Sequence, residues 1–417
     1  MYDHAVRAAS LTCLLAAACG DSTSKPDTFP GDEVTPRWLL EADGPSSGAG
    51  IALLPDGDLI VSILANTPIA PGPFTIAGET FDLETAGLVL LKLSAADGGI
   101  LASSAIEGIT LASFAVAEPG GDVFVSGVFV GEIDVGGGAV IAADDFGHLV
   151  ARFSGDDLSH VWSRSLDVTA NIAGFRLATT ASGDLLAASE DTEELRVELL
   201  SGVDGETLWS SSPVDGDGEA SDAAELPGGD VGAVGVLRNE AGVIEPVVVR
   251  VDGDSGAPVW QQTFEATGDG ATMTEIEVVD GDLLVAGQTW GGTLSLGDTD
   301  ITDRFKVFAA RITPDGDLVW ARDVCDFAAC YGVWPLPMRL VGSTAVMDVF
   351  VGADADIAIQ PIGLDGELGE PIILASSAQD YVGDAVADGD DLYLTGRTGV
   401  ENDREDMVYG SVFILAL

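Results

Sequence analysis

The segment Phe305–Trp320, FKVFAARITPDGDLVW, is an apolar run, a Pro-Asp-Gly turn and a second run opening on Trp320, and looser copies of it recur along the chain. A repeat of this length constrains a fold more than any single motif, because each unit must bury its apolar face against the next. One anchor of the repeat is a Gly-Asp turn followed by a short apolar strand, at Gly57-Asp58, Gly121-Asp122, Gly183-Asp184, Gly229-Asp230, Gly281-Asp282 and Gly389-Asp390. A degenerate copy stands at Gly342-Ser343. Successive copies are separated by 46 (Gly183 to Gly229) to 64 residues (Gly57 to Gly121).

The second anchor lies later in each unit, where an apolar strand meets an Asp/Gly turn and the next strand often carries Trp. Asp97-Gly98, Gly155-Asp156, Asp204-Gly205, Asp252–Gly256, Asp315-Gly316 and Asp365-Gly366 are these turns, and Trp162, Trp209, Trp260 and Trp320 follow four of them. Each unit therefore holds four short strands joined by tight turns. Glycine, 53 of 417 residues, supplies the turns. Strands such as Gly87–Leu91 are apolar without alternation, as expected where both faces are covered. No apolar run shows helical spacing.

The expected architecture is all-β: a seven-bladed β-propeller of four-stranded antiparallel blades over residues 37–417, roughly 54 residues per blade, near the length known for such repeats. The seventh unit ends at its third strand, Ser411–Leu417, while residues 37–42 carry Trp38 with no unit of their own. The expectation is that residues 37–42 complete the last blade and close the ring, which removes free sheet edges.

Residues 1–18 read as a signal peptide, with Arg7 ahead of a short apolar run, and residues 19–36 as a flexible polar tether. Leu14–Cys19 resembles the bacterial lipobox, in which cleavage before the Cys leaves its thiol to carry lipid; Cys19 is the residue this implies is lipidated. The expected location is the bacterial cell envelope, lipid-anchored, on the outer membrane, with the membrane held through lipid alone. A formal charge of −52 argues against nucleic acid, whose binding needs clustered Lys and Arg.

Phe308–Trp320 resembles SBBP-type β-propeller repeats, and Gly202–Trp209 and Asp252–Trp260 resemble the pyrroloquinoline-quinone-type repeat. The resemblance covers about residues 37–417 and implies the propeller fold. Proteins with such repeats include quinoprotein dehydrogenases, outer-membrane assembly lipoproteins and many of no known activity, so it implies no one function.

Four candidate chemistries stand out. Cys325 and Cys330, in an exported protein, are expected to form a disulfide, next to Tyr331 and Trp334, where the repeat breaks. Asp215, Asp217, Asp252 and Asp254 lie in oxygen-rich turns that suit calcium, though without the full spacing of a known calcium loop. Lys92, Arg152, Arg250 and Arg311 recur at equivalent places, which points to a structural pairing with turn carboxylates. His148 and His160 have no nucleophile motif near them. No catalytic or cofactor-binding residue is singled out. The expected function is a monomeric, non-enzymatic binding scaffold for a protein or glycan. The alternatives are a hydrolase or quinoprotein-like oxidoreductase with its site at the central channel, and a calcium-dependent adhesion module.

Overall fold

The computed structural model describes residues 32–33 and 36–417, apart from 67–71, 112–114, 118, 167–175, 192–193, 325–329, 332–337, 342–343, 352–355, 375–378, 390, 401, 404–405 and 408–410. Its regular elements are all strands. Most of them form antiparallel arrays made by consecutive chain segments. Ser47–Leu53, Leu59–Ala65, Gly87–Leu93 and Ile100–Glu107 make one array, and Arg176–Thr179, Leu185–Asp191, Glu194–Leu200 and Thr207–Ser211 another. In the first, the two middle strands are buried throughout, while the outer strand Ile100–Glu107 alternates. The continuous apolar runs of the sequence are thus the middle strands, covered on both faces.

The core is a series of face-to-face contacts between neighbouring arrays. In one such contact, Ile60, Leu88 and Leu90 of the first array share a cluster with Val123, Phe129, Leu149 and Phe153 of the next. Sheets that pack face to face in sequence order, around a set of innermost strands, are a propeller-like arrangement. The innermost strands touch in the order Ser47–Leu53, Ala115–Ala117, Arg176–Thr179, Gly218–Glu225, Gly270–Val279, Met338–Val341 and Gln379–Asp388, and the last touches the first.

Trp38–Glu41 pairs antiparallel with Ser411–Ala416, so one four-stranded sheet takes strands from both ends of the described chain. Its Tyr393, Val412, Ile414 and Ala416 pack with Ile51, Val61 and Val89 of the first array. Among the described residues, six sheets have four or more strands, rather than seven. The difference has a local cause: Ile244 and Gly270 form one parallel pairing that joins two arrays into a single eight-stranded sheet. Asp32–Glu33, within the segment read as a tether, pairs parallel with Ile372–Ile373.

The tryptophans fasten array to array. Trp162 Nε1 donates to Gly202 O at 2.9 Å, Trp209 to Gly253 O at 2.7 Å, Trp260 to Pro314 O at 2.8 Å and Trp320 to Leu364 O at 2.9 Å. Each acceptor lies in the turn of the following array. Trp38 makes the same contact from the N-terminal strand, to Ala95 O at 2.9 Å. The indole also covers that turn's glycine: a Cβ on Gly366 (φ +82°) would stand 2.9 Å from Trp320, and one on Gly205 (φ +75°) 2.7 Å from Trp162. Glycine is required there for both conformation and space. Ile100–Glu107 has no Trp, and the turn it faces has Leu158 (φ +60°) where the others have glycine.

Candidate functional site

The repeated cations are structural, as their recurrence suggests. Arg152 Nε lies 2.9 Å from Asp122, Arg250 Nη2 2.6 Å from Asp230, Arg311 Nε 2.7 Å from Asp282, and Lys92 Nζ 3.2 Å from Asp56 and 3.5 Å from Asp58. The acids at Asp58, Asp122, Asp230 and Asp282 are those of the Gly-Asp turns. Arg250 and Arg311 also donate to Pro314 O and Leu364 O, the carbonyls held by Trp260 and Trp320.

The candidate site lies among the innermost strands. A cavity of about 380 Å³ is lined by Arg176 to Thr179, Asp222 to Glu225, Ile276 to Val278, Arg339 and Asp384. Each of these five short segments comes from a different innermost strand. The register explains why charge collects at one level. Arg176, Asp222, Glu275 and Asp384 stand opposite Ala188, Val234, Ala286 and Thr395, each four residues after an Asp of the Gly-Asp turn region: Asp184, Asp230, Asp282 and Asp391. The pairing shifts register just before Asp222, Glu275 and Asp384, a bulge that re-aims a side chain.

These groups form one network. Arg339 Nη2 lies 2.7 Å from Asp384 Oδ1, and Nη1 lies 3.4 Å from Glu275 Oε2 and 3.5 Å from Glu277 Oε1. Arg339 also donates to the carbonyls of Ala385 (2.6 Å) and Met338 (2.7 Å). Arg176 Nη2 approaches Glu275 Oε1 to 2.6 Å, as an ion pair without hydrogen-bond alignment. Asp222 Oδ2 accepts from Ile276 N at 3.2 Å and Oδ1 from Ala223 N at 2.9 Å. Asp384 does the same with Ile51 N at 3.1 Å and Ala385 N at 2.9 Å. Each aspartate therefore ties its own strand to the next innermost strand.

Burial dominates the electrostatics. It pushes the Asp222 carboxyl up to about 6, against the pull of Arg176 and Arg339. Glu275, 1% exposed, is pushed up to about 7 by burial and by Asp222, with Arg176 opposing. Glu277 is also raised to about 7 by desolvation, offset by Arg339. Its side chain remains 28% exposed, so cavity water screens it more than Glu275. Arg339 is held charged, because Asp384, Glu277, Glu275 and Asp222 outweigh its own desolvation. Glu277 lines the cavity, and Glu275 is enclosed between the guanidinium groups of Arg176 and Arg339.

Sequence reasoning passed over this network. A signal existed: Ser221-Asp222, Thr274-Glu275 and Gly383-Asp384 each place an acid after a small residue, 53 and 109 residues apart, one and two repeat lengths. The expected site residues lie elsewhere. Asp215, Asp217 and Asp254 are exposed; Asp217 pairs with Arg238 at 3.3 Å, and Asp252 accepts from Ser255 N at 2.9 Å within its own turn. Among the described residues, no group of three or more His, Cys, Asp or Glu is arranged to hold a metal ion. Cys19, Cys325 and Trp334 lie outside the described residues, and Cys330 opens a two-residue strand paired with Val351 and Phe350. His160 contacts Ser163 Oγ at 3.0 Å and lies opposite Phe153, whereas His148 lies opposite Leu166.

No protein-family model matches the chain, and no curated protein matches it in sequence. Likenesses to solved structures extend over most of its length. Hydrazine synthase of Kuenenia stuttgartiensis is 13% identical, with 90% of this chain and 96% of that chain covered and a TM-score of 0.49. Polysaccharide lyase Uly1 is 12% identical, with 96% and 94% covered and a TM-score of 0.49. The Dos1 propeller is 10% identical, with 91% and 94% covered and a TM-score of 0.47. None of these likenesses bears on activity.

Proposed function

We propose that the chain is an exported, lipid-anchored propeller of the SBBP/PQQ-like kind, acting as a monomeric, non-enzymatic binding scaffold for a protein or glycan at the bacterial cell envelope. The observation that carries this reading is the state of the buried channel charges. Arg339, Asp384, Asp222 and Glu275 are engaged with one another and with backbone groups of adjacent strands. Such a network holds strands together and leaves the outer loops free to bind.

Seven blades and a closed ring belong to the same proposal. They are supported by the cyclic order of touching innermost strands, by the pairing of Trp38–Glu41 with Ser411–Ala416, and by the Trp38–Ala95 bond. Anchoring through Cys19, outer-membrane placement and the Cys325–Cys330 disulfide are supported by the sequence alone. Fractionating wild type and Cys19→Ala tests the anchor: the variant is expected in the soluble fraction, and an unlipidated variant that stays membrane-bound overturns it. Cross-linking the intact envelope and recovering a specific partner tests the scaffold.

A second reading, an enzyme acting at the channel, is favoured by one observation: Glu277 stands at the cavity with its carboxyl raised to about 7, beside Glu275. Turnover of an envelope glycan substrate that is lost in Glu277→Gln would replace the scaffold reading. Calcium-dependent adhesion through Asp215, Asp217, Asp252 and Asp254 predicts a rise in melting temperature with added calcium.

A further inference from the structure

The tryptophans at the fastenings share one position in the repeat; Trp290 does not. It lies near the end of the strand Asp282–Gly291, at the base of the hairpin formed by Thr293–Leu296 and Thr299–Thr302. There its half-buried ring meets Phe305 edge to face, with centroids 5.8 Å apart. The exposed Arg304 lays its guanidinium over Phe305, 4.7 Å from the ring centroid. Among the described residues Arg304 takes part in this stacking and in no ion pair, although the protein as a whole carries a charge of −52.

The platform is built rigidly. Asp303 (φ +96°) and Phe305 (φ +61°) both hold left-handed backbone, a costly conformation for a bulky side chain. The buried Thr289 holds them there: it donates through Oγ1 to Asp303 O (2.7 Å), accepts from Phe305 N at its carbonyl (2.7 Å) and takes Lys306 N on Oγ1 (3.1 Å). Beside the rings the floor is bare backbone. A Cβ on Gly292 would stand 2.1 Å from Thr267 O, so no side chain fits there. A Cβ on Gly291 would stand 3.3 Å from Asp269 Oδ2 and 3.9 Å from Arg304 Cγ, which puts an exposed carboxylate and the arginine stem next to that floor.

Resting on the binding-scaffold reading, the geometry points to Trp290, Phe305 and Arg304 as a binding site for a neutral oligosaccharide, with Asp269 and Asp303 as hydroxyl acceptors. A pyranose ring offers an apolar C–H face to an aromatic ring and a rim of hydroxyls to carboxylates and a guanidinium. Charge decides between sugar classes. A polyanionic glycan would meet the field of an acidic protein with one stacked arginine to attract it, whereas a neutral sugar is indifferent to that field.

Calorimetric titration of the full-length protein with cellohexaose, maltohexaose and a hexameric oligogalacturonate tests the assignment. A neutral hexamer is expected to bind, about tenfold or more weaker in Trp290→Ala, and several-fold weaker in Arg304→Ala, which truncates an exposed side chain. The melting temperature of each variant shows whether it is folded. Absence of binding by either neutral hexamer to wild type, unchanged affinity in both variants, or preference for the oligogalacturonate overturns the assignment. Each of these failures leaves the partner recovered by envelope cross-linking untouched, so the scaffold reading is judged separately.

Discussion

At the scale of single residues, the informative groups are those whose protonation differs between folded and unfolded chain. Asp222, Glu275 and Glu277 all have carboxyls raised on folding. Between about pH 4 and 7 the folded protein therefore binds more protons than the unfolded one, and stability falls as pH rises through that window. The melting temperature is expected to rise from pH 7.5 to pH 5. Relief of the −52 charge acts in the same direction, so the diagnostic measurement is the difference between wild type and Glu277→Gln. The variant should be more stable at pH 7.5 and show a flatter pH dependence; parallel curves would refute the assignment. Arg339→Met removes the cation shared by Glu275 and Asp384. It should cost about 3–5 kcal/mol near neutral pH in denaturant unfolding, because breaking a buried pair strands its partner. The cost should shrink toward pH 5, where the acids can take up protons.

At the scale of elements, the fastening of one array to the next is a two-part device, indole on one side and left-handed glycine on the other. Gly366→Ala should destabilise the protein by about 1–3 kcal/mol, from its backbone angle and from the Trp320 ring 2.9 Å away. In a Trp320→Ala background the steric part of that loss should disappear, and the double-mutant cycle measures it. A cycle that closes additively would show that ring and glycine act independently. These parts were legible in the sequence because they repeat: Trp320 and Gly316 stand in the stretch whose copies define the unit. The charged network was not. Asp222, Glu275 and Asp384 sit inside innermost strands, where an apolar pattern was sought, and their common level depends on register shifts that composition does not reveal. Trp290 was hidden for another reason. A tryptophan after an apolar run looks like the fastening residues until the pairing shows it at the wrong strand end.

At the scale of the whole molecule, the all-β, propeller-like form followed from the repeated turns and the apolar strands between them, while the number of separate sheets depends on a single pairing between Ile244 and Gly270. Residues 37–42 are the part whose removal tests closure. A chain lacking residues 1–42 leaves Ser411–Ala416 as an open edge and Ala95 O without its indole donor. It is expected to melt several degrees lower and to self-associate through that edge, measured by calorimetry and size-exclusion chromatography. An unchanged melting temperature and elution volume would show that the N-terminal strand is dispensable.

The pairing of Trp38–Glu41 also has a mechanical meaning. Tension applied from the N-terminal side first meets the two-residue pairing of Asp32–Glu33 with Ile372–Ile373, and then Arg37, which is riveted by Asp391 at 3.0 Å, by the Tyr393 hydroxyl at 3.1 Å and by its own N–H to Ala416 O at 2.8 Å. Behind that rivet stand four paired residues, Trp38 to Glu41. A pull must shear the rivet before it can peel the strand, and once the strand is peeled the first and last arrays lose their shared tryptophan. Once the short Asp32–Glu33 pairing has parted, Arg37 is where the strand Trp38–Glu41 would begin to yield.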